Sequence, residues 1–481
     1  MSSTLSYVLP QGKAAKGIHL KAEQDAFWGR RRSIAPISGA LSAIALLIAT
    51  PSVVIASWVT IEHFDGSVFG MLSMLWRSGI VAFVRRYFPS PTIDTLVVYL
   101  GWIAAQAFLH TSLPGKYYTG QATPGGNVLV YKINGLITSI AMVIVFVMSG
   151  VAGIVDLACI AKAWPGFLLA AVIYGYLVSM AMHLKACFAP SYRQDTRFSG
   201  SAIHDFFSGC ELNPRWGPDW DIKLFHIGRP GMAGWLMMYN SLAHLGNAIP
   251  KLTISGSDIS FAALHAELHG SISNSMIVVL LLHGVYIVDF FWNESWYLRT
   301  IDIHHDHFGF YLAWGSAVWL PVMYSLNAQF LAYHSIHLSL VNGILILALG
   351  IIGYAIFRSA NNQKLRVRLT DGNCMTFGRV AEVIRSSYKT SDGVTHKSLL
   401  LCSGWWGYAR HANYTGDILM AFAFCAPCGT THLLPWTYFI YLSLLLINRC
   451  FRDEARCRAK YGEDWKKYCQ RVKWRFCPGV F

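Results

Sequence analysis

The sequence predicts an all-α fold, a polytopic bundle of transmembrane helices with about ten spans. Three observations lead there. Of 481 residues, 54% are apolar and only 13% charged, against about 25% charged in an ordinary soluble domain. Those apolar residues gather into uncharged runs of about 20 residues, the length of helix that crosses a hydrocarbon core of about 30 Å. Finally, charge, aromatics and glycine crowd into the C-terminal part, at the mouth of the last apolar run. Three parts are expected: a tail over residues 1–32, a bundle over 33–357, and a C-terminal part over 358–481 that includes a hairpin at 418–448.

The tail is polar and ends in Arg30, Arg31 and Arg32. It opens with no short apolar core, so no cleavable signal peptide is expected. The arginines directly precede the first uncharged run, Ser33 to Ile61. The excess of positive charge on cytosolic flanks therefore places the N-terminus in the cytosol.

Further runs without Asp, Glu, Lys or Arg lie at Thr95–Gly115, Ile133–Val155, Ala163–Leu184, Pro230–Pro250, Gly270–Val288, Phe308–Phe330 and Ser335–Phe357. Each is read as one span. The run from Ile418 to Asn448 is too short for two full helices, and Gly429 and Pro435 interrupt it. It reads as two short or tilted helices, which puts both termini in the cytosol.

The net charge of +14, from 39 basic and 25 acidic residues, suits anionic headgroups or an anionic cofactor. No nucleic-acid module accompanies it. The 11 cysteines form no secreted-type framework and read as reduced, small apolar residues. Cys425 and Cys428 sit inside the apolar hairpin without a second pair at zinc-site spacing, so packing explains them.

Chemistry is expected first between Leu399 and Phe481. At 100° per residue, Arg449, Asp453, Arg456 and Lys460 share a helical sector of roughly 60°. Such a stripe can hold a polyanion through charge-assisted hydrogen bonds, or can face lipid headgroups. Trp405, Trp406, Tyr414, Tyr461, Trp465 and Tyr468 surround it in the sequence and suit a stacking pocket. Lys364 and Arg368, four residues apart, share a face in the polar stretch before it. No G-x-G-x-x-G occurs in a βαβ context, so a nucleotide here would meet cationic side chains instead of a Rossmann loop.

A second centre is Asp302-Ile-His-His-Asp-His307. Asp302 and Asp306 share one helical face, and His304 and His307 another. Ionisable groups this close to lipid are costly unless they line a cavity or find partners. With His265 and His269 the segment also brings histidine-ligated iron enzymes to mind, but a clean H-x-x-H-H box is lacking.

These stretches carry a resemblance. GWWGYARHANYTGD (Gly404–Asp417), RDEARCRAKYGEDWKKYCQRV (Arg452–Val472) and the final PGVF resemble the sterol C=C reductase family. That family spans sterol C-14 reductases, the sterol domain of the lamin B receptor and 7-dehydrocholesterol reductases. The stretch Phe290–Pro321 is most similar to the last branch, and Glu211–Gly231, TPGGN and YKINGL fit the same family. His304, Ser316 and the Val-Lys-Trp-Arg of residues 472–475 depart from that branch and bear on which sterol fits. The C-terminal pattern is also similar to isoprenylcysteine carboxyl methyltransferases, which lack the IDIHHDHFG region.

The resemblance implies an NADPH-dependent enzyme of the endoplasmic reticulum membrane that reduces the Δ7 bond of a 5,7-diene sterol. Reduction of a Δ14 bond and a non-catalytic sterol-binding scaffold are the alternatives. It implies that Asp453 and Arg449 are catalytic. Lys364, Arg368, Leu401, Trp406, Asn413, Tyr414, Asp453, Cys457, Arg458, Ala459, Lys460, Tyr461 and Tyr468 match cofactor-contact positions. Asp302, His305, Asp306 and His307 are the expected sterol-binding residues. The implied partners are the sterol, membrane lipid and another sterol-pathway protein, with no nucleic acid and no metal. Protonation of a 5,7-diene at C8 would leave an allylic cation over C7 and C5, which hydride quenches at C7.

Overall fold

The computed structural model describes residues 36–156, 158–237, 258–390 and 393–481. The polar tail with Arg30–Arg32, and most of the run Pro230–Pro250, lie outside the described residues. Among the described residues, five helices are long and apolar enough to cross a membrane: Ile37–Phe64, Ile93–Ser112, Trp164–Phe188, Asn274–Trp292 and Leu340–Leu369. We label the elements that carry the argument α1 (Pro36–Phe64), α2 (Ile93–Ser112), α3 (Gly135–Val151), α4 (Trp164–Phe188), α5 (Asn274–Trp292), α6 (Leu340–Leu369), α7 (Ala412–Cys425), α8 (Thr437–Tyr461) and α9 (Glu463–Arg471).

Local chemistry sets where the helices start. The Ser273 side chain accepts the Met276 amide at the head of α5, and Ser339 accepts that of Asn342 at the head of α6, each satisfying an orphan donor of the first turn. At 30 residues, α6 is about 45 Å long, more than a hydrocarbon core of about 30 Å needs. Its last turns therefore carry Lys364, Arg366 and Arg368 past the apolar section.

The run Phe308–Phe330 is not one regular helix. It divides into Phe310–Trp314, a π-helical turn Gly315–Trp319, Leu320–Tyr324 and Leu326–Tyr333. Pro321 explains the break, because it lacks an N–H and its ring crowds the preceding turn. Pro230 lies inside a second π-helical turn, Ile227–Ala233. The run Ile418–Asn448 is shared between the end of α7 and the start of α8, and the chain reverses over residues 426–436.

Helix α6 packs along α7 because glycines face each other. A Cβ on Gly416 would lie 2.5 Å from the Gly353 carbonyl oxygen, and one on Gly353 would lie 2.8 Å from that of Gly416. Small residues let the two backbones approach within a membrane, where apolar burial alone does not drive helices together.

Strands are present despite the all-α expectation. Lys116–Thr119 (β1) pairs with Val130–Ile133 (β2), and Val383–Lys389 (β3) with Thr395–Leu401 (β4), both antiparallel. β-Branched Val383, Ile384 and Thr395 favour the pleated form. The β3–β4 ribbon lies within residues 358–481, for which an all-α fold is expected, and its alternation is too short to stand out in the sequence.

Two buried cations tie the polar segments together. Lys223, fully buried, donates to the carbonyls of Asp302, Ile303 and Asp306 at 2.7, 2.9 and 2.9 Å. Arg229 donates to Asn134 Oδ1 at 2.9 Å and lies 3.6 Å from Glu294, whose carboxylate accepts the Gly135 amide at 2.7 Å. An unpaired buried cation costs several kcal/mol, so both pairings fix the register of 294–306 against Glu211–Gly231.

Candidate functional site

The walls of the main cavity come from α5, the segment 293–302, α6, residues 406–417 and α8. Its volume is about 560 Å³. A second cavity of about 50 Å³ shares Lys364, Arg368, Trp406, Asp453 and Arg456 with it and extends to Leu401, Cys457, Tyr461 and Tyr468.

The paired tryptophans are seated on α6. Trp405 N–H donates to Gln363 Oε1 at 2.8 Å, and Trp406 Nε1 donates to the Ala360 carbonyl at 2.8 Å. Gly404 has φ 61°, and a Cβ there would fall 2.4 Å from the Gln363 amide. Only glycine meets both demands. So seated, the Trp406 ring lies 3.9 Å from Lys364 Nζ, a cation–π contact.

Expected residues divide by position. Lys364, Arg368, Trp406, Asn413, Tyr414, Asp453, Arg449 and Asp302 line the main cavity. Leu401, Cys457, Tyr461 and Tyr468 line the smaller one. Lys460 Nζ lies 3.7 Å from the centre of the Tyr388 ring, while Arg458 and Ala459 are exposed, Arg458 on the face of the helix opposite Arg449. His305, Asp306 and His307 are not among the lining residues. His305 Nδ1 lies 3.2 Å from Asp306 Oδ1.

Arg449 and Asp453 take different partners. Arg449 donates to Asp302, and its neighbour Arg452 to Asp306, so that two arginines of α8 clasp the 302–306 segment. Asp453 accepts from Arg456 at 2.6 Å and 3.0 Å. Burial raises the Asp453 carboxyl, but Arg456, His411 and Lys364 outweigh it and hold the group well below the usual carboxylate range. Burial likewise raises Asp306, and its bond to His305 and the charge of Arg452 bring it down. Burial pushes the His304 imidazole down to about 3, with Lys223, Lys460 and Arg456 adding to the effect. His304 is therefore neutral.

The donor set fits a polyanionic ligand that also bears an amide. Lys364, Arg368 and Arg456 converge on one end, where they suit phosphates. Asn413 Oδ1, His411 Nε2 and Arg449 Nε are buried without a hydrogen-bond partner among the described residues, and Asn413 Oδ1 can accept from a carboxamide.

Metal chemistry gets no comparable support. His411, Cys450 and Glu454 bring ligand atoms within 4.8 Å of one another, but the Glu454 carboxylate already accepts from Arg410 at 2.9 Å and Arg475 at 3.1 Å. Two guanidinium charges repel a cation there. His265 instead bonds the Leu331 carbonyl at 2.6 Å and packs on His269.

Sequence reasoning passed over several members of the site. Asp289 of α5 pairs with Arg358 and accepts from Tyr354 at 2.8 Å. The signal was an aspartate ending one uncharged run and an arginine ending another. His411 and Asp417 both stand in the quoted GWWGYARHANYTGD stretch without having been singled out.

The model of the ergosterol biosynthesis ERG4/ERG24 family matches residues 32–481. The chain is 38% identical over 467 residues to a 7-dehydrocholesterol reductase of Xenopus laevis, covering 94% of each chain. It is 38% identical over 474 residues to that of Danio rerio, covering 96% of this chain and 95% of the other. To a Delta(14)-sterol reductase of Methylotuvimicrobium alcaliphilum it is 36% identical over 449 residues, covering 91% and 94%.

Proposed function

The chain belongs to the ergosterol biosynthesis ERG4/ERG24 family of sterol reductases, and on that premise we propose that it reduces the Δ7 double bond of a 5,7-diene sterol with NADPH. The observation that carries this reading is the shared cavity: a cationic, tryptophan-floored end opens into one walled by Tyr286, Phe290, Tyr297 and Phe357, which suit a rigid apolar ligand.

Lys364 and Arg368 would hold the phosphates beside Trp406, with Asn413 on the carboxamide and Leu401, Tyr414, Cys457, Lys460, Tyr461 and Tyr468 completing the cofactor's surroundings, whereas Arg458 and Ala459, exposed and off both cavities, would lie outside them. NADPH, when bound, supplies the hydride that closes C7. A sterol ring alkene has no adjacent carbonyl, so a proton must reach carbon first. Protonation at C8 is feasible because the cation left behind is allylic over C7 and C5.

We assign Asp453 and Arg449 as the catalytic pair. Ionised Asp453 offers a fixed negative charge while positive charge grows on the sterol ring, a preorganised electrostatic stabilisation. Arg456 holds that carboxylate in place, and Arg449, neutralised by Asp302, lies on the same cavity wall without adding a free cation beside the developing charge. Asp302 would meet the sterol 3-hydroxyl at the cavity wall, while His305, Asp306 and His307, which do not line the cavity, would act on the sterol only through the segment they share with Asp302. The membrane is that of the endoplasmic reticulum.

Incubating purified protein with NADPH and, separately, 7-dehydrocholesterol, ergosterol and a Δ8,14-sterol, followed by mass spectrometry, tests the reading. Loss of the Δ7 bond from either 5,7-diene supports it. Turnover of the Δ8,14-sterol alone would place the chain with its Delta(14)-sterol reductase relatives, and no turnover would favour a sterol-binding scaffold.

A further inference from the structure

Four carboxylates line the main cavity: Asp289, Asp302, Asp417 and Asp453. Three are each bound by an arginine, Arg358, Arg449 and Arg456 respectively. Asp417 differs. Among the described residues it has no hydrogen bond and no ion pair, although it faces the same space.

Its position is fixed by its neighbour. Gly416 lies against Gly353 with no room for a Cβ, so the α7 backbone is pressed on α6 at this level and the Asp417 side chain is held at the cavity wall. It stands one residue before the uncharged run 418–448. We propose that Asp417 is the general acid that gives the sterol its proton. The inference rests on the reading of the chain as a Δ7 reductase.

A proton donor must hold its proton at working pH, and an arginine-bound carboxylate does not. Burial pushes the Asp417 carboxyl up to about 7, with Arg449 and Arg358 opposing and Asp289 adding to the rise. These are joined around it by Tyr286 of α5, Tyr324, Tyr414 on its own helix and Tyr438 of α8. The tyrosines are neutral acids that leave the carboxyl as the strongest acid still protonated there.

The Asp417 O–H bond breaks and its proton bonds to C8, using the π electrons of the C7=C8 bond and leaving a carboxylate and an allylic cation. C7 then takes the hydride with its electron pair that the reading above assigns to NADPH, and the C5=C6 bond is kept. A proton from water restores the acid. The net change is one proton and one hydride added across C7=C8.

The test compares purified full-length wild type, Asp417→Asn and Asp417→Glu, with kcat and KM for 7-dehydrocholesterol measured from pH 5.5 to 9 and NADPH binding followed by tryptophan quenching. General acids contribute about 100-fold or more. Expected are a wild-type kcat that falls tenfold per pH unit above about pH 7, a loss of at least about 100-fold in kcat for Asp417→Asn with NADPH binding kept, and partial rescue by Asp417→Glu. An Asp417→Asn variant with kcat within about threefold of wild type and the same pH profile would overturn the inference while leaving the Δ7 reading intact. If Asp417→Asn loses NADPH binding through misfolding, the wild-type pH limb and its displacement in Asp417→Glu decide, and an unmoved limb overturns the assignment. A wild type that reduces no 5,7-diene overturns the Δ7 reading and this inference with it.

Discussion

Arg449, on the stripe of α8, is ion-paired with Asp302 on a segment 147 residues earlier in the chain. Lys223 holds that same segment from behind by three carbonyls. The pair therefore joins the expected sterol end of the site to the expected cofactor end. Removing one member leaves the other charged and poorly solvated, which costs about 3–5 kcal/mol when both are buried. Asp302→Asn is expected to lower kcat/KM for the sterol more than tenfold while NADPH binding stays within about threefold. Steady-state kinetics together with tryptophan quenching check this, and equal loss of both would show that the pair supports the fold alone.

Lys364 and Arg368 present the cationic end of the cavity from the last turns of α6. Replacing either with alanine removes a charge-assisted hydrogen bond of about 1.5–3 kcal/mol. The expected outcome is a rise of roughly 10- to 100-fold in the KM for NADPH with a smaller change in kcat. Titration of each variant with NADPH and with NADH reads the effect directly.

Asp453 is held below the usual carboxylate range despite its burial, through Arg456, His411 and Lys364. A folded-state value lower than the unfolded one means stability that is present above the unfolded value of about 3.9 and lost as pH falls through the folded one. The difference in melting temperature between wild type and Asp453→Asn is therefore expected to be constant above about pH 5 and to shrink below about pH 4. A thermal-shift series in detergent at stepped pH measures it.

Gly416 touches Gly353 across the α6–α7 contact, and a Cβ there would sit 2.5 Å from a carbonyl oxygen. Gly416→Ala is expected to destabilise by about 1–3 kcal/mol and to lower activity, because it moves Asp417. Gly315, with nothing within 4 Å of its would-be Cβ, serves as the control: Gly315→Ala should leave melting temperature and turnover close to wild type.

Much of the site was legible because it is written in contiguous stretches. GWWGYARHANYTGD and the stripe of Arg449, Asp453, Arg456 and Lys460 could be placed on a face from helical period alone. The pairings could not. Arg449 and Asp453 are one turn apart and look like partners, yet each finds a nearer charge elsewhere, Asp302 through a long-range contact and Arg456 along the helix. Likewise the uncharged runs located apolar helices, but Pro321 turns one of them into a broken sequence of short helices, and the β3–β4 ribbon lay hidden in a polar connection. Asp417 was visible as a letter and silent as a function, since what sets it apart is the absence of an arginine that only the folded chain reveals.

The most direct measurement is the position of label after turnover of 7-dehydrocholesterol with NADPH deuterated at the nicotinamide C4, read by mass spectrometry and NMR. The account predicts one deuterium at C7, none at C8 and a retained C5=C6 bond. Deuterium at C8, or a product reduced only at another ring bond, would contradict it.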